Sequence, residues 1–119
     1  MTIRNRTRGT VLATDERWAR TPAERMRGLL DADDLPPGGC LVISPCNSVH
    51  MFGMKFPLDV VFCKADGTVV RAISCLRPWR LTRIYFTAKH TLELPVGVVA
   101  QSGTAPGDAL EWDEPPAIR

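Results

Sequence analysis

The sequence lacks the patterns that mark several common classes of protein. No apolar run approaches the roughly 20 residues of a membrane-spanning helix, and residues 1–10 are polar and basic, without the apolar core of a secretion signal. The four cysteines, at positions 40, 46, 63 and 75, include no Cys-x-x-Cys pair, so neither a zinc knuckle nor a thioredoxin-like redox site is indicated. We therefore expect a cytoplasmic protein with reduced thiols and no membrane partner.

An excess of charge of one sign is also absent. Lys and Arg total 15 against 13 Asp and Glu, and the net charge of +2 is far from that of a strongly nucleic-acid-binding protein. Apolar residues make up 45% of the 119, enough to build a core without metals or disulfides. We predict a flexible basic N-terminus at residues 1–8, a single β-rich domain at residues 9–112 and a C-terminal tail at residues 113–119.

One helix start is clearly marked. Thr21 is a typical N-cap, Pro22 suits the first helical position, and Glu24 completes a Thr-x-x-Glu capping box. Residues 31–39 carry acidic, Pro-Pro and Gly-Gly signals that end the helix. The apolar stripe that we expect to be buried consists of Met26, Leu29 and Leu30.

Short apolar runs separated by glycine and proline predict a mainly β (α+β) fold. Asp66 and Gly67 lie between two β-branched runs and predict an antiparallel hairpin, and Pro95 opens a second, short helical turn. The strands that we predict cover residues 9–13, 40–43, 48–54, 58–63, 68–75 and 87–94, after which Gly103, Pro106 and Gly107 bend the chain into residues 108–112. Six to eight such strands with one or two short helices favour a compact, single-domain, small β-barrel-like architecture, because few other arrangements hide so many strand edges.

Four motifs in a fixed order carry a resemblance to a known family. Residues 24–30 read Glu-Arg-Met-Arg-Gly-Leu-Leu, with an Arg-x-x-Gly-Leu pattern. The longest motif, at residues 45–62, is Pro-Cys-Asn-Ser-Val-His-Met-Phe-Gly-Met-Lys-Phe-Pro-Leu-Asp-Val-Val-Phe, followed by Asp-Gly-Thr-Val-Val. Leu-Glu-Leu-Pro-Val-Gly at residues 92–97 and the glycine-rich segment at residues 103–110 complete the series. Over residues 9–112 the chain resembles the prokaryotic family called domain of unknown function 192, which implies a small, mostly β domain and no established reaction.

His50 is the first candidate for function, because it lies in the most distinctive motif near possible soft-metal ligands. If this segment is extended, Cys46 and His50 are about 13 Å apart, as are His50 and Met54, too far to share one ion. The same separation argues against a Cys46–His50 nucleophile pair. We therefore predict no metal and no cofactor, and a hydrogen-bonded or pocket-lining histidine.

Asp59 and Glu93 are carboxylates inside otherwise apolar strands. Alternation with apolar neighbours favours the solvated face of a half-buried strand for both side chains. The alternative is a polar cleft or an arginine partner. If either carboxylate converged with His50 in a cleft, the group would form a general acid/base site, so an enzyme remains an open alternative.

A third feature is the segment at residues 77–85, which interleaves arginines with aromatic residues. This pattern is compatible with nucleic-acid binding, but twelve arginines against three lysines indicate a general bias in composition, so we regard nucleic acid as an unfavoured partner. We predict a non-catalytic domain that binds an unknown small ligand or protein. The residues assigned to this binding face are His50, Met54, Arg77, Trp79 and Arg80.

Overall fold

The structure is a computed structural model that describes residues 2–112. Within them the elements are β1 Ile3–Asn5, β2 Thr10–Ala13, β3 Asp15–Ala19, α1 Pro22–Arg27, β4 Gly39–Ile43, β5 Leu58–Cys63, β6 Val69–Leu76, β7 His90–Leu94, α2 Val98–Ser102 and β8 Leu110–Trp112. They form a three-stranded sheet, ordered β2-β1-β8, and a five-stranded sheet, ordered β3-β4-β7-β5-β6. The mainly β class with two short helices is confirmed. The sheets do not close into a barrel, so the barrel-like description is only approximate.

The edge of the large sheet contains a parallel pair of strands. β3 runs parallel to β4, whereas the other neighbours in both sheets are antiparallel. α1 lies in the connection between β3 and β4, which supplies the crossover that a parallel pair requires. The sequence did not predict β3, because Asp-Glu-Arg-Trp-Ala has no strand-like apolar alternation and depends on its ladder to β4.

The N-terminal boundary of the domain differs from the prediction. Ile3–Asn5 form the central strand of the small sheet, and the Ile3 side chain is fully buried, so the ordered domain begins before residue 9. Arginines at positions 4, 6 and 8 obscured this short strand, whose inward side chains are Ile3 and Asn5. The predicted tail at residues 113–119 lies outside the described residues.

The predicted start of α1 is confirmed. The Glu24 amide donates to the Thr21 hydroxyl at 3.1 Å, and the Thr21 amide donates to the Glu24 carboxylate at 3.0 Å. The helix ends at Arg27, before a glycine with φ +49°. The prediction of a buried apolar stripe is therefore wrong at Met26, whose side chain is 81% exposed. Leu29 and Leu30 follow the helix and pack on the core from the turn.

The predicted hairpin of β5 and β6 is also confirmed. Its turn contains Gly67 at φ +92°, a left-handed conformation that favours glycine. A Cβ at this position would overlap the carbonyl oxygen of Leu110, whose amide donates to the Gly67 carbonyl at 2.9 Å. The tip of this hairpin thus joins the large sheet to the small one.

The central strands of the large sheet are buried on both faces. On the α2 face, residues of β4, β5 and β7 pack against the small sheet and α2. On the opposite face, which we call the α1 face, they pack against residues 29–35 and loop residues. The fully or nearly buried members of the α1 face are Ala19, Leu41, Ile43, Met51, Met54, Leu58, Val60 and Phe62. Over residues 2–112 neither helix has the length and apolar character needed to cross a bilayer.

Candidate functional site

A cavity of about 150 Å³ opens on the α1 face, between α1, the end of β4 and the segment that follows it. Its polar lining includes Arg25, Cys46, His50 and Glu93, and its apolar lining includes Leu29, Leu30, Ile43, Val49 and Met54. A larger cavity of about 530 Å³ lies beside β2 and α2, but no titratable side chain lines it. The cavity on the α1 face is therefore a better candidate for specific chemistry than the cavity beside β2 and α2.

The segment that carries His50 is not the strand that the sequence predicted. His50 forms a single bridge with Leu81, and the chain then turns, with the Met54 amide donating to the Met51 carbonyl at 3.2 Å. The turn follows from Gly53, which has φ +82°. His50 and Met54 consequently line the same cavity as Cys46, although an extended chain would have separated them.

The side chains of His50 and Cys46 each form one hydrogen bond with a neighbouring backbone group. The Phe52 amide donates to His50 Nδ1 at 3.3 Å, which places the proton of a neutral ring on Nε2. The Cys46 thiol donates to the Ser48 carbonyl at 3.1 Å. Within residues 2–112 no group of three His, Cys, Asp or Glu side chains is arranged to hold a metal ion. The polar chemistry of the cavity therefore centres on Glu93 and Arg25.

Glu93 projects from β7 between Leu41 of β4 and Val60 of β5. Its side chain is buried, so the expectation of a solvated face is wrong, because β7 is a central strand covered on both sides. Burial raises the pKa of Glu93 to about 7. The Glu93 Oε1 atom lies 3.9 Å from the position that a Cβ on Gly28 would occupy, directly beyond the end of α1. Glu93 is thus an acid buried beneath α1, with a pKa near neutrality.

Arg25 is the cavity residue that the sequence reasoning missed. Its Nη1 donates to the Pro45 carbonyl at 3.2 Å, while its buried Nε finds no acceptor in the described part of the chain. Neither Arg25 nor Glu93 belongs to an ion pair formed among residues 2–112. The Arg-x-x-Gly-Leu motif contained the signal, since it places Arg25 three residues before the glycine that packs beside Glu93.

Asp59 lies elsewhere, on the α2 face. Its side chain is fully buried, which corrects the expectation of a solvated position. One carboxylate oxygen accepts from the Cys75 amide at 2.8 Å, and the other accepts from the amides of Gly97 and Val99 at 3.1 and 2.9 Å. Because Asp59 pairs with Leu94 and Val60 with Glu93, the two carboxylates project to opposite faces. Asp59 holds β6 and the start of α2 in place and is not brought to the cavity.

The remaining predicted binding residues lie on the outer surface, beside the cavity. The Phe52 ring stacks between His50, at a centroid distance of 5.0 Å, and Trp79, at 6.1 Å. Arg77 and Arg80 flank Trp79 and are exposed. His50 is therefore shared by the cavity rim and this surface.

The fold is thus a mainly β domain of two hydrogen-bonded sheets, with a small polar cavity on the α1 face. The chain matches, over residues 3–112, the family named domain of unknown function 192, which is described as "Uncharacterized ACR". It belongs to this family, and the identification from the four motifs is confirmed.

Curated relatives and solved structures are similar to this chain in sequence or in fold. A "UPF0127 protein" of Thermococcus sibiricus is 32% identical over 92% of this chain and 73% of its own length. A second, from Thermococcus gammatolerans, is 30% identical over 93% and 74%. A crystal structure of a protein of unknown function from Novosphingobium aromaticivorans superposes with a TM-score of 0.78, at 24% identity, covering 93% of this chain and 82% of the other. A putative transcription regulator from Sinorhizobium meliloti gives a TM-score of 0.79, at 23% identity and coverages of 92% and 89%.

Proposed function

We propose that this protein binds a small organic ligand in the cavity between Arg25 and Glu93. The observation that supports the proposal is that buried Glu93 and partly buried Arg25, whose Nε has no acceptor among the described residues, line one cavity without forming an ion pair among residues 2–112. Buried polar groups are normally satisfied, so a ligand that bridges them would gain hydrogen bonds that the protein alone leaves unmade. His50 at the rim offers a further donor through Nε2.

Size and lining define the chemical class of the ligand. A cavity of about 150 Å³ matches one that holds a molecule the size of benzene, or roughly six non-hydrogen atoms. The guanidinium of Arg25 suits an anionic acceptor such as a carboxylate. The Glu93 carboxyl suits a hydroxyl or ammonium donor. The proposed ligand is therefore a small hydroxy acid or amino acid.

Four simple probes test both halves of this proposal. Glycolate and glycine carry both groups, acetate carries only the acceptor, and ethylamine carries only the donor. We expect glycolate or glycine to raise the melting temperature, by roughly 4–8 °C at ten times its Kd, while the single-group probes do not. Equal shifts from all four probes, or none from any, would contradict the proposal.

Variants then place the binding within the cavity. Glu93→Gln and Arg25→Gln should each weaken binding of the two-group probe by about tenfold, the effect of one lost hydrogen bond to a charged group. Arg71→Gln is the matched control, because Arg71 is an exposed arginine of β6 that does not line the cavity. A loss as large in the control would place the binding outside the cavity.

Acid–base catalysis by His50 and Glu93 is the second candidate, favoured by the pKa of about 7 at a carboxyl that shares a cavity with a histidine. A group that titrates near neutrality exchanges protons efficiently in either direction. The α-protons of bound glycolate or glycine should then exchange with D₂O, as followed by proton NMR, and Glu93→Gln should stop the exchange. Binding without exchange would leave the protein a binding domain.

We also propose that the protein functions in the cytoplasm. Its four cysteines are free thiols, and two of them, Cys40 and Cys63, are buried in the core. Free thiols are usual in a reducing compartment. Cell fractionation with an antibody against the protein tests this location, and recovery outside the cytoplasmic compartment would contradict it.

A further inference from the structure

Two segments on the α1 face present a continuous surface that the cavity does not use. Residues 47–52 run beside residues 79–85, joined by hydrogen bonds from the amides of Met51, Trp79, Thr82 and Tyr85 at 2.7 to 2.9 Å. We call their outward side the aromatic–arginine face. It consists of the apolar residues Phe52, Trp79, Leu81, Ile84 and Phe86 and the arginines Arg77, Arg80 and Arg83.

The apolar side chains of this face cannot turn inward, because their neighbours already fill the core. Met51 and Thr82 are buried, and the Tyr85 ring packs on Phe62 at a centroid distance of 4.7 Å. The alternate residues therefore point to solvent, with Trp79 68% and Phe86 84% exposed. Trp79 also has φ +69°, a conformation that is uncommon for any residue except glycine, and its amide hydrogen bond to Met51 holds it there.

The charge of the face has a single sign. Residues 67–92 contain no aspartate or glutamate. Arg77, Arg80 and Arg83 are exposed and belong to none of the ion pairs formed among residues 2–112. The partner that complements this surface must therefore be both apolar and anionic.

We propose that the aromatic–arginine face docks the protein on the surface of an anionic lipid bilayer. Exposed tryptophan, phenylalanine and aliphatic side chains insert at the boundary between headgroups and acyl chains, while arginines pair with lipid phosphates. Single-stranded nucleic acid fits less well, because Phe52 already stacks on His50 and Trp79, and Leu81 offers no ring for a base. The sequence-based expectation of no membrane partner considered membrane-spanning segments, and this proposal concerns surface attachment alone.

Vesicle sedimentation tests the proposal with the intact protein. We expect it to sediment with vesicles of equimolar phosphatidylcholine and phosphatidylglycerol and to stay in solution with phosphatidylcholine alone. Replacing two arginines, Arg80→Gln with Arg83→Gln, should lower the partition coefficient about 25-fold, from about 1 kcal/mol for each basic residue near the surface. The Trp79→Ser, Phe86→Ser pair should lower it about tenfold or more.

Matched variants elsewhere on the surface control for general loss of charge or apolar area. Arg6→Gln removes an exposed arginine and Val96→Ser removes an exposed apolar side chain, both outside the face. Each should leave the partition coefficient within about twofold of the starting protein. Equal losses in these controls would overturn the assignment of the face, and thermal unfolding of every variant tests whether the fold is intact.

Tryptophan fluorescence gives a local readout. Trp79 is exposed, whereas Trp18 and Trp112 are partly buried against each other at a centroid distance of 6.0 Å. Anionic vesicles should shift the emission of the protein to shorter wavelength, and Trp79→Phe should remove that shift while preserving sedimentation. No sedimentation with anionic vesicles, or binding to a single-stranded oligonucleotide or an acidic peptide instead, would overturn the proposal. Ligand binding in the cavity is measured separately and does not affect this outcome.

Discussion

Asp59 of β5 and Glu93 of β7 lie one residue out of register on neighbouring strands. Their carboxyl groups lie on opposite faces of the sheet and have very different surroundings. Asp59 lies between β6 and the start of α2, and three backbone amides, one from β6 and two from the start of α2, donate to its carboxylate. Glu93 lies beneath α1, where burial raises its pKa to about 7. A buried carboxylate that is surrounded by donors stabilises the fold. A buried carboxylate without hydrogen-bond donors destabilises the fold when it is ionised. Such a group is found more often where a ligand binds.

Among the substitutions that test this contrast, Asp59→Ala should have the largest effect on stability. It removes the buried carboxylate that accepts from the amides of Cys75, Gly97 and Val99, and we expect it to lower the free energy of unfolding by about 3–5 kcal/mol, measured by urea denaturation. Asp66→Ala is the matched control, because exposed Asp66 accepts from one amide, that of Thr68 at 2.9 Å. A loss below about 1 kcal/mol at Asp59 would show that its hydrogen bonds contribute little.

Glu93 should produce the next largest effect, and it should depend on pH. Its folded pKa of about 7 exceeds the ordinary value of 4.5, so the folded state binds more protons than the unfolded state between these values. Stability from this group is therefore present at acidic pH and is lost as pH rises to about 7, by about 3 kcal/mol in all. Glu93→Gln should remove that slope in urea denaturation at a series of pH values. An unchanged slope would mean that Glu93 is ionised normally in the folded protein.

His90 should give an effect of opposite sign that is smaller, because its side chain is only half-buried and solvent screens its charge. Burial, followed by the charges of Lys89 and Arg20, lowers its pKa from 6.5 to about 4. The unfolded state then binds more protons between those values, so stability from neutral His90 is lost as pH falls from 6.5 towards 4. In the Glu93→Gln background this slope should be visible, and adding His90→Gln should flatten it. A slope that survives both substitutions would assign it to other groups.

Thiol labelling compares the two faces without altering stability. Cys75 is exposed and should react first with a thiol reagent, while burial raises the pKa of Cys40 well above its usual value and that of Cys63 to about 12, which protects both on the α2 face. Cys46 lines the cavity and should react at an intermediate rate that glycolate or glycine slows. Mass spectrometry after timed labelling of a Cys75→Ser variant measures this rate. Fast modification of Cys40 would contradict the packed α2 face.

The sequence predicted the parts of the fold that local chemistry determines. The Thr21 and Glu24 capping box and the Gly67 turn each depend on a few adjacent residues, and both predictions are confirmed. β1 and β3 were missed because their stability comes from strands distant in sequence. The burial of Glu93 was missed for the same reason, since nothing in its own strand indicates that both faces of β7 are covered. The place of Arg25 in the cavity was not predicted, because it depends on the turn after α1, which places Gly28 beside Glu93.

The hairpin tip at Gly67 has a consequence for how the domain unfolds. Its carbonyl accepts from the Leu110 amide, and the Val69 amide and carbonyl bond to Asp108 and Gly107, so the two sheets share one continuous set of backbone hydrogen bonds. Neither sheet can separate without breaking bonds of the other, and thermal unfolding should be a single cooperative transition. A side chain at position 67 would push β8 away from the turn. The small sheet would then melt before the large one, and a one-step transition would become two.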